Sequence, residues 1–252
     1  EVIYAREYDA AISPNGNIPV HAFNLISPTF FANSSTGNKY SLWVNVYGVS
    51  ERYLNVYGEK DLRAQMNQFF HRTYTHPVDG TTLDMKMLCN WYWYDETAIL
   101  ETGKGTKDWN FYRYAETLLS AAEAIAQSSG VNAEAAGYLA QVKARANMEG
   151  KTVAAITADL QKLGKQAFIE ECWTERLREF PLEMKIWDDC VRTGKFPQIS
   201  ATNKGEVQFV DLIGAKNGSG ATFKATDLYW PIPVNEIQRN PNLTQNEGYS
   251  AK

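Results

Sequence analysis

Three glutamates spaced four residues apart are the first candidates for chemistry. In a helix Glu175, Glu179 and Glu183 line one face, and two carboxylates on a cleft can form a glycosidase pair. Basic residues are interleaved with them: Arg176, Arg178, Lys185 and Arg192. Nearby cations lower the pKa of a carboxyl group, whereas a general acid needs a raised pKa. The pattern therefore favours an ion-pair network on a helix face, and we predict no catalytic residue.

Metal and nucleophile signals are weaker. The three histidines are His21, His71 and His76, and none pairs at a spacing typical of metal ligands. The cysteines, Cys89, Cys172 and Cys190, form no CxxC motif, and the last two lie on apolar helix faces as expected of buried free thiols. Nucleophile-elbow, P-loop and dinucleotide motifs are absent from the sequence. The sequence predicts no metal, no cofactor and no enzyme.

Aromatic residues are concentrated in one part of the chain. Sixteen of the 32 Phe, Trp and Tyr residues lie between Tyr40 and Tyr114. Flat rings with polar groups at their edges suit a sugar, which has C–H groups on its faces and hydroxyls at its rim. The predicted ligand-binding residues are Trp43, Tyr47, Tyr53, Tyr57, Trp91 and Trp93. The alternative is that these rings cover the core.

The run Trp91-Tyr92-Trp93-Tyr94 has its own prediction. In a strand the two indoles share one face and the two phenols share the other. One face then packs inward and the other can look outward.

Bulk properties limit the class of protein. A chain of 252 residues with 44% hydrophobic residues can bury a sizeable core. The net charge of −4 argues against nucleic-acid binding. No stretch is apolar enough to cross a bilayer. The chain opens at Glu1 without Met, signal peptide or lipid-acceptor cysteine, so we expect a processed product or a fragment.

These side chains must be positioned by a mainly α protein with short strands and long loops, an α+β fold. We treat residues 1–252 as a single region with three portions. Residues 1–107 are rich in loops and strands and carry the ligand-binding aromatics, with a strand at 1–8, a long loop at 9–40 and a short helix at 59–70. Residues 73–94 are extended around a turn at 77–80.

Helices dominate residues 108–194. Asp108 is the predicted N-cap of a helix ending at Gly130, and Asn132 caps a second helix ending at Gly150. Together they form an alanine-rich hairpin like a tetratricopeptide repeat. A third helical stretch covers 166–194, kinked or broken at Pro181.

Residues 195–252 form a loop or hairpin and then a proline-rich tail. The tail, LYWPIPVNEIQRNPNLTQNEGY, has prolines that fix an extended run. A short helical turn capped by Asn235 follows.

Two stretches together resemble the SusD/RagB family. The tail is similar to that family's terminal run, in which PIP, E-I, NP, L-x-Q-N and GY recur. The kinked helix resembles its ER-x-x-E-[LF]-x-x-E-x-x-R-x-x-D-x-x-R-x-G pattern, matched by Glu175, Arg176, Glu179, Phe180, Glu183, Asp189, Arg192 and Gly194. Ile186 stands where the family usually has arginine. Asp61-Leu62-Arg63 is similar to the family's D-x-R, and residues 113–124 to its last tetratricopeptide-like unit.

The resemblance implies a function. SusD-like proteins are outer-membrane, cell-surface lipoproteins of Gram-negative bacteria that bind nutrients, chiefly glycans, and act with SusC-like TonB-dependent transporters. The expected ligand is an oligosaccharide or polysaccharide, and the expected membrane link is an N-terminal lipid anchor in a half that this sequence lacks. Alternatives are a protein–protein interaction module or peptide binder without a glycan site, and a glycan hydrolase.

Overall fold

The computed structural model describes residues 1–9, 11–12, 49–75, 80–92, 94–96, 106–181 and 183–250. The chain forms two compact units, one of Glu1–Glu183 with Ile199–Val207 and one of Met184–Gln198 with Gln208–Lys252. Three predicted ligand-binding residues, Trp43, Tyr47 and Trp93, lie outside the described residues.

Two antiparallel strand pairs belong to the first unit. Strands β1 (Val2–Arg6) and β4 (Trp109–Arg113) form one pair, and β2 (Phe70–Thr75) and β3 (Thr82–Asn90) form the other. The predicted strand at the start of the chain is confirmed. The prediction that Asp108 caps a helix is wrong, because residues 109–113 pair with β1. The carboxylate of Asp108 instead accepts a hydrogen bond from the Tyr8 backbone at 2.9 Å.

Four helices follow in the same unit: α1 (Tyr114–Ser129), α2 (Ala133–Arg145), α3 (Val153–Leu160) and α4 (Lys165–Glu179). Gly130 ends α1 at φ 81°, and the Asn132 side chain caps α2 through the Ala135 N–H at 2.9 Å. Helices α1 and α2 pack against each other, and alanines on both, including Ala122 and Ala136, are fully buried. Small side chains let the two helices approach closely, so the predicted hairpin is confirmed.

Two boundaries in this helical part differ from the sequence prediction. Helix α2 ends at Arg145 rather than at Gly150. Helix α3 was not predicted, although Thr152 caps it through the Ala155 N–H at 3.2 Å. Its two buried side chains, Ile156 and Leu160, are too few to produce a clear periodic signal.

Pro181 breaks the third helical stretch. Helix α4 ends at Glu179, and the next helix, α5 (Ile186–Thr193), begins in the second unit. A proline has no N–H for the carbonyl four residues earlier and its ring clashes there. The Leu177 carbonyl accepts a hydrogen bond from the Tyr53 hydroxyl at 2.6 Å instead.

The second unit contains α5, most of the hairpin of β5 (Lys195–Ile199) and β6 (Val207–Asp211), and α6 (Val234–Arg239). Gly194 ends α5 in the left-handed conformation, as predicted. On α5 Cys190 is buried, but Trp187 and Val191 are exposed, as is the preceding Met184. The predicted cap Asn235 lies inside α6 instead, because the helix begins directly after Pro233.

The helices in the described part of the chain are all too short or too polar for a bilayer crossing.

Candidate functional site

The acidic residues of α4 lie in a buried charge network that begins at Asp61. Its carboxylate accepts from the Arg63 backbone N–H at 3.0 Å, capping a 3-10 turn, and from Arg63 Nη2 at 2.7 Å. So oriented, the guanidinium reaches Glu175 at 2.9 Å and Glu179 at 3.0 Å. Arg63 of the D-x-R segment therefore connects the 61–64 turn to α4.

Arg113, at the end of β4, extends the network past the end of α4. It contacts Glu179 at 3.0 Å and Glu183 at 2.7 Å. Ile186, which stands in place of the arginine usual in the family pattern, takes no part. The network forms through Arg63, Arg113, Lys143 and Arg178, without an arginine at position 186.

The carboxylate of Glu175 is held ionised. The side chain has no exposed surface, and burial raises its pKa. Arg63, Lys143 and Arg178 outweigh this effect and lower the pKa to about 2. A glycosidase acid needs the opposite shift, so Glu175 is a structural carboxylate. The predicted ion-pair network on this face is confirmed, although the face is buried and does not look toward solvent.

An open cavity of about 510 Å³ lies beside this network, between α3, the end of α2 and residues 58–63. Its lining includes the ion-paired groups Lys143, Glu171 and Arg178 together with Ile156 and Leu160. None of its lining side chains is aromatic. This cavity therefore offers no aromatic ring on which a sugar could stack.

A second cavity, of about 250 Å³, does have aromatic walls and is called the Trp91 pocket. Its lining residues are Asn67, His71, Thr73, Tyr74, Thr75, Trp91, Tyr94 and Glu96. All of them belong to the first unit.

The β2–β3 hairpin positions these rings. The Trp91 N–H donates to the Phe69 carbonyl at 2.8 Å directly after β3, and the Tyr94 N–H donates to the Trp91 carbonyl at 3.1 Å. This turn stacks Tyr94 on Trp91, with ring centroids 4.8 Å apart. His71 of β2 also stacks on Trp91, at 4.1 Å.

Buried Tyr74 supports the aromatic group. Its ring is tilted against Trp91 at 5.7 Å and against Tyr94 at 6.2 Å. Trp91 and Tyr94 themselves are only partly buried. Packing against a buried ring holds the partly exposed rings in position for contact with a ligand.

The rim of the pocket is polar and carries little charge. Burial lowers the pKa of His71, although backbone hydrogen bonds at Gln68 and Thr73 oppose that shift, and a lowered pKa favours the neutral imidazole. Burial, Tyr74 and Glu96 raise the pKa of Tyr94, and its hydroxyl donates to Glu96 at 3.1 Å. The pocket thus offers stacking faces, neutral hydrogen-bonding groups and one carboxylate.

Trp91 lies in this pocket, but the predicted strand at 91–94 is wrong. Strand β3 ends at Asn90, and the turn that follows places Trp91 and Tyr94 face to face. In a strand their side chains would lie on opposite faces. Sequence reasoning therefore missed Tyr94 as a partner of Trp91, and it considered His71 only as a metal ligand.

Tyr57 is a core residue, contrary to its prediction as a ligand-binding ring. It has no exposed surface, packs edge-on against Phe70 at 5.9 Å, and donates its hydroxyl to the Arg178 carbonyl at 3.1 Å. Tyr53 is partly buried, and its hydroxyl donates a hydrogen bond to the Leu177 carbonyl. A short 3-10 segment, Glu51–Val56, orients both phenols toward the end of α4.

Metal binding and thiol chemistry find no support in the described part of the chain. No group of three or more potential ligand side chains occurs among the described residues. The three cysteines are buried and free, and burial raises the pKa of the Cys89 thiol to about 12. A thiol with such a pKa is a poor nucleophile.

Comparison with known proteins identifies relatives over nearly the whole chain. The family model described as the SusD family matches residues 32–249. The starch-binding protein SusD of Bacteroides thetaiotaomicron is 36% identical over 138 residues, which is 55% of this chain and 21% of that protein.

Solved structures agree on the fold. A SusD superfamily protein from Parabacteroides distasonis has a TM-score of 0.78 and 28% identity, covering 99% of this chain and 50% of that one. Surface glycan-binding protein A from Bacteroides uniformis has a TM-score of 0.61 and 22% identity, covering 98% of this chain and 48% of that one. The chain thus spans about half the length of these structures, and its mostly helical fold with short strands is theirs. With the family model matched over most of its length, the chain belongs to the SusD family.

Proposed function

We propose that this protein binds a nutrient glycan without catalysis and that the Trp91 pocket holds one sugar ring of it. In the same proposal the whole protein acts at the outer cell surface of a Gram-negative bacterium. There it passes the glycan to a SusC-like TonB-dependent transporter of the outer membrane.

The observation that carries the proposal is the aromatic stack in an open pocket. Trp91, His71 and Tyr94 form a stacked group of partly exposed rings, and the C–H groups of a sugar ring can pack against the exposed parts of this group. Asn67 and Thr73 are among the lining residues and can accept or donate hydrogen bonds at the hydroxyl rim. The volume of about 250 Å³ is below the roughly 300–1,000 Å³ of pockets for drug-sized ligands. This suits a single ring of a longer chain.

Family membership supports the same class of ligand. The curated relative is a starch-binding protein, and one structural neighbour is a surface glycan-binding protein. Binding in so shallow a site should be modest in affinity, because a sugar exchanges water hydrogen bonds for protein hydrogen bonds of similar strength.

Calorimetric titration of the whole chain with a panel of oligosaccharides tests the proposal. We expect at least one oligosaccharide to bind, and Trp91→Ala to weaken its binding at least tenfold. The matched control is Trp230→Ala, because Trp230 is 88% exposed and is not among the residues that line the pocket. The thermal midpoint of each variant, measured in parallel, separates lost binding from lost folding.

Three outcomes would overturn the proposal. They are an absence of binding across the panel, equal affinities for Trp91→Ala and Trp230→Ala, and release of shortened products from a labelled oligosaccharide. Binding of a peptide panel in place of glycans would favour the peptide-binding alternative.

A further inference from the structure

We propose that the Trp91 pocket selects an electrically neutral sugar residue and rejects residues that carry a carboxylate, with Glu96 as the specificity-determining residue. This inference rests on the proposed function of the same pocket. It adds a ligand class and a residue that the aromatic stack alone does not specify.

Glu96 is fixed beside the stacking platform. Its Oε2 accepts the Tyr94 hydroxyl at 3.1 Å, and the Tyr94 ring stacks on Trp91 at 4.8 Å. The side chain of Glu96 is exposed at the pocket rim. A sugar that packs against this ring stack in the pocket therefore brings its own substituents close to the Glu96 carboxylate.

No compensating cation lines the described pocket. Its other lining residues are uncharged side chains and His71, whose pKa is lowered by burial. Arg72, which follows His71 in β2, donates two hydrogen bonds to the Glu51 carboxylate, at 2.8 Å and 2.7 Å. A uronic-acid carboxylate in this pocket would meet one like charge, and the described lining residues include no arginine or lysine to pair with it.

Neutral hydroxyls fit the same surroundings. The carboxylate of Glu96 is an acceptor for sugar hydroxyls, and charge-assisted hydrogen bonds of this kind are the stronger ones. Thr73 and Thr75 add hydroxyls that both donate and accept. One residue can thus attract a neutral ring and repel an acidic one.

The test uses oligosaccharide pairs that differ only in charge. One pair is maltoheptaose and its C6-carboxylated derivative, and the other is methyl-esterified oligogalacturonide and its free acid. We measure the dissociation constants by calorimetry at pH 7 and low salt, for the wild type and Glu96→Gln. Glu134→Gln is the control, because Glu134 likewise accepts a tyrosine hydroxyl, that of Tyr138 at 3.0 Å, outside the pocket.

We expect the wild type to bind the neutral member at least tenfold more tightly than its charged partner. Glu96→Gln should reduce this ratio at least threefold, and 0.5 M salt should reduce it for the wild type. Glu134→Gln should leave it unchanged. An equal or reversed preference in the wild type overturns the inference, as does a ratio unaffected by Glu96→Gln.

These measurements distinguish failure of the Glu96 inference from failure of the proposed glycan-binding function. If a neutral glycan binds and Trp91→Ala abolishes its binding while Glu96→Gln leaves the ratio intact, the inference fails and the proposed function stands. If neither member of either pair binds and the wider panel fails as well, both fail.

Discussion

The hydroxyl of Tyr53 donates a hydrogen bond to the Leu177 carbonyl at 2.6 Å. Pro181 cannot donate to this carbonyl because proline has no backbone N–H. The last turn of α4 is completed by donors from other elements in the same way. The Tyr57 hydroxyl donates to the Arg178 carbonyl at 3.1 Å, and Arg113 Nη2 donates to the Glu179 carbonyl at 3.0 Å. Buried carbonyls at a helix end need such partners.

The first prediction removes one of these donors. Tyr53→Phe leaves the Leu177 carbonyl buried without its partner, so the free energy of unfolding should fall by about 1–3 kcal/mol. Tyr4→Phe is the control, because Tyr4 is 59% exposed. Urea denaturation of both variants and the wild type measures the difference. Tyr53 is outside the Trp91 pocket, so glycan affinity should not change, and equal midpoints for the two variants would contradict this account.

The second prediction concerns the charge network. Glu175→Gln removes the carboxylate shared by Arg63, Lys143 and Arg178. Breaking a buried ion pair on one side typically costs about 3–5 kcal/mol because it leaves charge uncompensated. Equilibrium denaturation should show a loss of this order. Asp159→Asn, which removes an exposed partner of Lys162, should change the midpoint little. Similar effects of the two substitutions would mean that the network contributes no more than a surface pair.

The third prediction follows from the lowered pKa of Glu175. Its folded pKa is about 2 against 4.5 for the free side chain. The unfolded chain therefore binds more protons between these values. The stabilisation is complete above pH 4.5 and is lost as pH falls toward 2. Urea midpoints across this window should decline, and 0.5 M salt should not remove the decline, because a buried pair is weakly screened. A flat profile below pH 4.5 would refute the assignment.

Much of the scaffold could be predicted from local patterns. Gly130, Asn132 and Gly194 act at the helix ends where the sequence places them, because caps depend on a few neighbouring residues. The strand β4 could not be predicted in this way. Its residues also fit a helix, and only pairing with β1, more than 100 positions earlier, makes them extended.

The site was harder to predict for the same physical reason. An aromatic residue suits a core and a ligand platform equally well, and only tertiary position separates Tyr57 from Trp91. His71 and Tyr94 join Trp91 through a bulged hairpin and a turn. Their spacing in the sequence gives no hint of this meeting.

The fourth prediction concerns His71. Burial lowers its pKa, whereas stacking of a protonated imidazole on Trp91 would favour the cation. We expect burial to prevail, so the imidazole should titrate below 6.5 in NMR spectra. The unfolded state then binds more protons below pH 6.5, and the contribution of His71 to stability is lost as pH falls from 6.5 to the folded pKa. His71→Gln assigns the resonance, and a pKa above 6.5 would show that the stacking interaction dominates.

The fifth prediction separates the effect of backbone conformation at Asn67 on stability from the effect of its side chain on glycan binding. Asn67 lines the Trp91 pocket with φ at 64°, and its N–H donates to the Phe70 carbonyl at 2.9 Å. Glycine adopts this conformation freely, whereas alanine costs about 1–2 kcal/mol there. Asn67→Ala should therefore be less stable than Asn67→Gly in urea denaturation. Both variants lose the same amide, so a contribution of that amide to glycan binding would lower their affinities alike. Equal stabilities would show that the turn relaxes to accept alanine.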